Sequence, residues 1–217
     1  MKREFIFVFL FVLLFVLFSL PLSSASLPLA HQVFVIDAGH GGVDPGSVVQ
    51  DIYEKEINLK ISQFLKNELQ DLGATVYMTR EGDYDLASPR AYHRKKSDFD
   101  ARISMIQERN PNYYISIHLN YLDDSRYFGP QVFYSTSNEK NYEIANRVQR
   151  VLNQHLHTSL KVKRVSSSLY MYSRIKVPGV LIECGFLSNL QERKKLLQEE
   201  YIQELAGLIA RSFIVNT

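Results

Sequence analysis

Cysteine is nearly absent from this chain. Cys184 stands alone among 217 residues, which excludes an internal disulfide. A surplus of one charge sign is lacking too. The formal net charge is +2, and Lys2, Arg3 and Glu4, the only charged residues of the first 26, supply +1 of it. The remainder is close to neutral, so no basic face for nucleic acid is implied and no nucleic-acid partner is expected. There are no internal repeats, which excludes solenoids and propellers. No His-Glu-x-x-His pair occurs, so the commonest helical zinc pattern is excluded. Long hydrophobic runs are missing, with one exception: Phe5 to Leu20, broken only by Ser19.

That exception follows the basic pair Lys2-Arg3 and precedes Pro21 and the small residues Ser23-Ser24-Ala25-Ser26. The order is that of an export signal. The run is slightly long for a signal core and short for a spanning helix. Residues 1–26 are therefore expected to be a signal peptide or an N-terminal membrane anchor, and residues 27–217 one domain outside the cytoplasm. Membrane contact is expected only through the N-terminal segment. With 46% hydrophobic and 22% charged residues, the chain can build an ordinary core.

Strand and helix patterns alternate along the domain. Val33 to Asp37 reads as a strand and runs into a glycine-rich turn, Gly39-His40-Gly41-Gly42. Gly46 to Tyr53 reads as loop. Ile57, Ile61, Phe64, Leu65, Leu69 and Leu72 trace one face of a helix opened by Glu54, with Gly73 placed as its C′ residue. Ala74 to Arg80 reads as a second strand and Glu81 to Lys96 as loop. Ser97 or Asp98 is the expected cap of the next helix, which Asn110-Pro111 ends. Tyr113 to His118 is a third strand, Leu119 to Pro130 a connection, and Gln131 to Ser135 a short strand. Tyr142 to Leu156 is an amphipathic helix. Leu160 to Lys176 is mixed, Val180 to Glu183 a buried strand, and Asn189 to Leu197 and Glu200 to Phe213 closing helices. This alternation predicts an α/β domain: a mainly parallel twisted sheet covered by helices on both faces.

Four side chains then fall at one place. His40, His118 and Glu183 follow or end strands, and Glu54 begins the helix after the first strand. All four are expected at the carboxyl edge of the sheet, where open α/β folds bind ligands. Two histidines and a carboxylate form a recurring zinc set that leaves a position for water. A further carboxylate outside that set can move the water's proton to a leaving amine. Such a group suits amide hydrolysis. The plainer readings are a backbone-bonded turn histidine, a carboxylate favoured by a helix N-terminus and a satisfied strand-end histidine. Glu183 resists a plain reading, because a carboxylate ending Val180-Leu181-Ile182 is costly to bury without a partner. Cys184 offers a rival as a thiol nucleophile. Neighbours in a strand face opposite ways, so Cys184 is expected in the core. His31, His93, His155 and His157 are expected at the surface, and Arg90, Arg94, Lys95 and Lys96 in a solvated loop.

The motifs Ile36-Asp-Ala-Gly-His-Gly-Gly-Val-Asp-Pro-Gly46, Glu54-Lys55 with Asn58-Leu59, Thr79-Arg80, Ser116-Ile-His-Leu-Asn120 and Glu183-Cys-Gly-Phe-Leu-Ser-Asn189 resemble the signatures of the zinc-dependent N-acetylmuramoyl-L-alanine amidases. The resemblance spans about Val33 to Ile214. It implies hydrolysis of the amide between N-acetylmuramic acid and L-alanine in peptidoglycan, one zinc ion on His40, Glu54 and His118, and Glu183 as catalytic residue. Cys184 replaces the family's more usual valine. Tyr53 to Leu59, and Thr79 to Ala87 followed by Lys96-Ser-Asp98, look like the germination-specific amidases, which act on spore cortex in the step leading to muramic-δ-lactam. The connection 119–130 is too short for the inhibitory helix that some members carry. The alternatives are a general cell-wall amidase, a zinc peptidase acting within the stem peptide, and a non-catalytic wall-binding protein. Any need for an activating protein partner is left open by the sequence.

Overall fold

The computed structural model describes residues 26–214; the segment read as signal or anchor lies outside them. Among the described residues, eight strands and five helices follow one another: β1 (Val33–Ala38), β2 (Val48–Val49), β3 (Ile52–Tyr53), α1 (Glu54–Asp71), β4 (Thr75–Met78), α2 (Arg94–Glu108), β5 (Tyr113–Asn120), β6 (Gln131–Tyr134), α3 (Asn141–Leu156), β7 (Lys163–Arg164), β8 (Gly179–Phe186), α4 (Leu190–Leu196) and α5 (Glu199–Arg211). Six strands form one sheet in the order β4-β1-β5-β8-β6-β7. All its pairings are parallel except β6 with β8. The expected mainly parallel α/β domain is what forms. No helix of the described residues is long and apolar enough to cross a membrane.

Strand alternation divides the side chains between two layers. Phe34, Ile36, Ile115, Ile117, Val180, Ile182 and Cys184 face a large core shared with α1, α3 and α5. Val35, Tyr114 and Leu181 face a smaller one, closed by Ile103 and Ile106 of α2 and by Met171, Tyr172 and Ile175. Helix α1 shows how the pattern works: Ile61, Leu65 and Leu69 are wholly buried along one stripe, each worth about 1.5–3 kcal/mol of burial. The helix stops where expected. Gly73 takes a φ of +96° and its N–H donates to the Gln70 carbonyl, as a C′ glycine does.

Three expectations need correction. Residues 48–53 form a two-stranded hairpin rather than loop. Helix α2 begins at Arg94, before Ser97 and Asp98. Those two do not cap it, because their side chains accept from the preceding loop: Asp98 from Leu86 N–H at 2.8 Å and Ser97 from Ser88 N–H at 3.0 Å. Of the basic cluster, Arg90 does lie on an exposed turn, whereas Arg94, Lys95 and Lys96 form the first turn of the helix, exposed but ion-paired. Arg94 binds Asp85 through two hydrogen bonds, Lys95 pairs with Asp44 and Lys96 with Asp100. Cys184, as expected, is fully buried, and the four histidines 31, 93, 155 and 157 are exposed.

Candidate metal centre and active site

Parity on the three central strands decides what meets at the carboxyl edge. Asp37 of β1, Ser116 and His118 of β5, and Glu183 of β8 all project toward the α2 layer, opposite to the Ile36, Ile117 and Ile182 core. His118 and Glu183 are direct register partners. His40 lies just past β1 with φ of +62°, a left-handed conformation that costs of order 1 kcal/mol for a side-chain-bearing residue. Three contacts hold it there. Arg102 Nη2 donates to the His40 carbonyl at 2.6 Å, and Gly41 and Asp44 exchange backbone hydrogen bonds of 2.9 and 3.1 Å. Gly39 is required by space: a Cβ there would overlap the His118 ring.

Glu54, the first residue of α1, is the centre of the cluster. Its Oε1 lies 3.1 Å from His40 Nε2 and 3.1 Å from His118 Nδ1. The same oxygen accepts from Leu119 N–H at 3.1 Å and Asn58 Nδ2 at 3.2 Å, and Oε2 accepts from Ser47 N–H at 2.8 Å. The two imidazole rings stand edge to face, 4.9 Å apart. One nitrogen or oxygen from each of His40, Glu54 and His118 lies within 4.8 Å of the others. His40 Nδ1 is bonded to Asp44 Oδ2 at 2.9 Å, an outer carboxylate of the kind that orients metal-binding imidazoles. Two imidazoles and one carboxylate, converging with their outer atoms already engaged, are a donor set that fits a zinc ion.

The charges in the cluster are strongly coupled. Burial opposes charge on His40, yet the hydrogen bonds its ring donates to Asp44 and Glu54 outweigh it and raise the imidazole to about 9. Burial would likewise raise Glu54, and His118 and His40 instead hold it far below the ordinary carboxylate range. Glu183 behaves in the opposite way. Burial, then the neighbouring Glu54 carboxylate, pushes it up to about 8. The residue keeps some exposure, but its Oε2 is sealed from solvent and has no hydrogen-bond partner. It lines a cleft of about 240 Å³ together with His40, His118, Tyr170 and Tyr172. Three of the four residues singled out in the sequence thus line one cleft, and the fourth, Glu54, is buried against its two histidines.

Several residues around them carried no individual role in the sequence. Arg80 and Arg102 are the two largest wholly buried side chains, and they clamp the turn. Arg80 donates from Nε to the Ala38 carbonyl and from Nη2 to those of Gly39 and Lys55, at 2.9, 2.9 and 2.7 Å. Arg102 donates from Nη1 to Asp37 Oδ1 and the Ala38 carbonyl, both at 2.8 Å, and from Nε to Asp98 at 2.9 Å. Asp37 also accepts from Thr79 at 2.9 Å and Ser116 at 2.7 Å. Burial would raise its pKa, but Arg102 foremost holds it below the ordinary value. Asp37, Thr79, Arg80 and Ser116 stood inside the sequence motifs without a role of their own, and Arg102 was marked only by following Asp98 at four residues, a helical ion-pair spacing.

A mainly parallel α/β sheet with this cleft at its carboxyl edge defines an open α/β enzyme fold. Residues 34–214 match the family model of N-acetylmuramoyl-L-alanine amidase, and the chain belongs to that family. It is an amidase of the muramoyl–L-alanine bond, and peptidoglycan is its substrate. Among relatives, it is 36% identical over 193 residues to the germination-specific N-acetylmuramoyl-L-alanine amidase of Bacillus subtilis strain 168, covering 87% of this chain and 81% of that one. Among solved structures, it is similar to the CwlD amidase of Clostridioides difficile in complex with the GerS lipoprotein. That match has 33% identity and a TM-score of 0.78, and covers 83% of this chain and 95% of the other. An N-acetylmuramoyl-L-alanine amidase of Clostridium difficile 630 matches at 25% identity with a TM-score of 0.73, covering 85% and 95%.

Proposed function

We propose that this chain is a zinc-dependent amidase of spore-cortex peptidoglycan, with one zinc ion held by His40, Glu54 and His118 and with Glu183 as the proton carrier. The observation that carries the reading is the convergence of His40 Nε2 and His118 Nδ1 on a single Glu54 oxygen, beside a Glu183 oxygen without a partner. Bound zinc would supply a Lewis acid and acidify a water near neutral pH. The chain's own residues do the rest. Asp44 fixes the His40 ring so that Nε2 faces inward. Glu54 stays ionised at any working pH. Glu183, with Oε2 free, takes the proton of the attacking water and returns it to the L-alanine nitrogen as the amide breaks. A cation at the three donors favours the carboxylate form of Glu183, which the base step requires.

The cortex assignment is supported by the similarity to the germination-specific amidase and to CwlD. The CwlD structure includes a lipoprotein, which supports an auxiliary protein partner here as well. Residues 1–26 act as the signal or anchor that places the domain, residues 27–217, outside the cytoplasm. The metal reading is tested by chelation. A chelator should abolish hydrolysis of purified cortex, added zinc should restore it, and His118→Ala should lose both tight zinc binding and activity. Full activity in His118→Ala would overturn the assignment.

A further inference from the structure

Each candidate zinc histidine has a second ring nitrogen, and the two are handled differently. His40 meets a carboxylate directly, Asp44. His118 has no carboxylate on its outer side. Its Nε2 lies 3.3 Å from the hydroxyl of Tyr172, a residue of the segment that closes the smaller core. Tyr172 Oη in turn lies 3.1 Å from Ser116 Oγ, and Ser116 Oγ lies 2.7 Å from Asp37 Oδ2. All three side chains are buried.

Proton counting gives this chain a direction. Asp37 is ionised and acceptor-only, since Arg102 and Thr79 donate to its other oxygen. The single proton of Ser116 must therefore go to Asp37. The contact between Ser116 and Tyr172 then needs the tyrosine proton, so Tyr172 donates to Ser116. With its proton committed, the Tyr172 oxygen can only accept from His118. His118 thus carries its proton on Nε2, and the lone pair of Nδ1 is left facing Glu54 Oε1. A free lone pair 3.1 Å from a carboxylate oxygen suits a metal cation shared by the two atoms, and His40 Nε2, once its proton is displaced, stands in the same relation to the same oxygen.

We propose that Tyr172 is a positioning residue for His118: through Ser116 it ties the ring to the buried Asp37 carboxylate and sets the tautomer that presents Nδ1 to the metal. The inference rests on the zinc reading above. It makes the site a pair of carboxylate-oriented imidazoles, one direct and one through two hydroxyls. Outer partners of this kind change metal affinity by about 10–100-fold.

The test is zinc affinity by chelator competition on the full chain, with the His118 tautomer read from ring ¹⁵N shifts of the zinc-free protein. Tyr172→Phe keeps the ring and should melt close to the unaltered protein. Its zinc affinity should fall by about 10-fold or more, and the Nε2–H signature should weaken. Ser116→Ala leaves Tyr172 packed while cutting the link to Asp37, and should weaken zinc binding in the same direction; it decides the matter if Tyr172→Phe fails to fold. His40→Ala is the control. If it loses zinc while Tyr172→Phe or, where that chain does not fold, Ser116→Ala binds zinc as tightly as the unaltered chain with the tautomer unchanged, Tyr172 has no positioning role. If His40→Ala also keeps tight zinc, the metal site is misassigned and the role of Tyr172 falls with it.

Discussion

Glu183 and His40 both hold a proton more tightly in the folded chain than in a free side chain, Glu183 through burial and His40, against burial, through its carboxylate neighbours Asp44 and Glu54. In the metal-free protein Glu183 has a folded pKa of about 8 against an ordinary 4.5. The folded state therefore holds a proton that the unfolded chain releases, and stability falls as pH rises from 4.5 through 8. His40, raised from 6.5 to about 9, acts in the same direction: its contribution is complete below 6.5 and is lost as pH rises through 9. Glu183→Gln removes the first of these losses. The chelated variant should melt above the chelated parent by a margin that grows between about pH 5 and pH 8; a constant margin would show that Glu183 is not buried as an acid. With zinc retained, the same variant should lose on the order of 10²-fold or more in turnover, because an amide cannot carry the proton. Loss of zinc instead would make Glu183 a ligand. At this scale the sequence was informative where chemistry is unusual. An acid ending an apolar strand, and a histidine among glycines, stand out in one dimension. Tyr172 does not, because its partners Ser116 and His118 are more than 50 residues away.

Among the elements, α2 departs most from expectation. Phe99, Ile103 and Ile106 recur at helical spacing, and they form its buried face. Its start was not legible, since the capping types Ser97 and Asp98 are spent on loop 86–88. What α2 does for the site was equally hidden, because Arg102 reads as an ordinary helix cation until the turn after β1 is folded against it. Arg102→Met should leave the His40 carbonyl without its donor and take the paired cation from the buried Asp37, which keeps only the Thr79 and Ser116 hydroxyls. Breaking a buried pair in this way costs about 3–5 kcal/mol, measured as a drop in denaturant midpoint with zinc present. Arg102→Lys keeps the charge but not the fork and should recover only part of it. A loss below about 1 kcal/mol, the range of a surface pair, would mean that Arg80 alone holds the turn.

Across the whole molecule, the alternation of strand and helix patterns was enough to reach the parallel sheet and its functional edge. The antiparallel entry of β6 and the two-residue strands were not readable, since pieces that short carry no periodicity. The described domain ties its first residues down early: Leu29 is buried and its N–H donates to the Leu72 carbonyl. A chain starting at Ser26 should therefore fold and bind zinc like the full chain. Detergent-dependent folding of the full chain, with aggregation of the shortened one, would make residues 1–25 part of the structure. The central claim concerns which bond is cut. Mass spectrometry of the products released by the zinc-loaded chain from purified cortex muropeptides addresses it directly. The account predicts intact stem peptides with a free L-alanine amino group, and glycan bearing unsubstituted muramic acid. Fragments cut within the stem peptide, with L-alanine still attached to muramic acid, would contradict it.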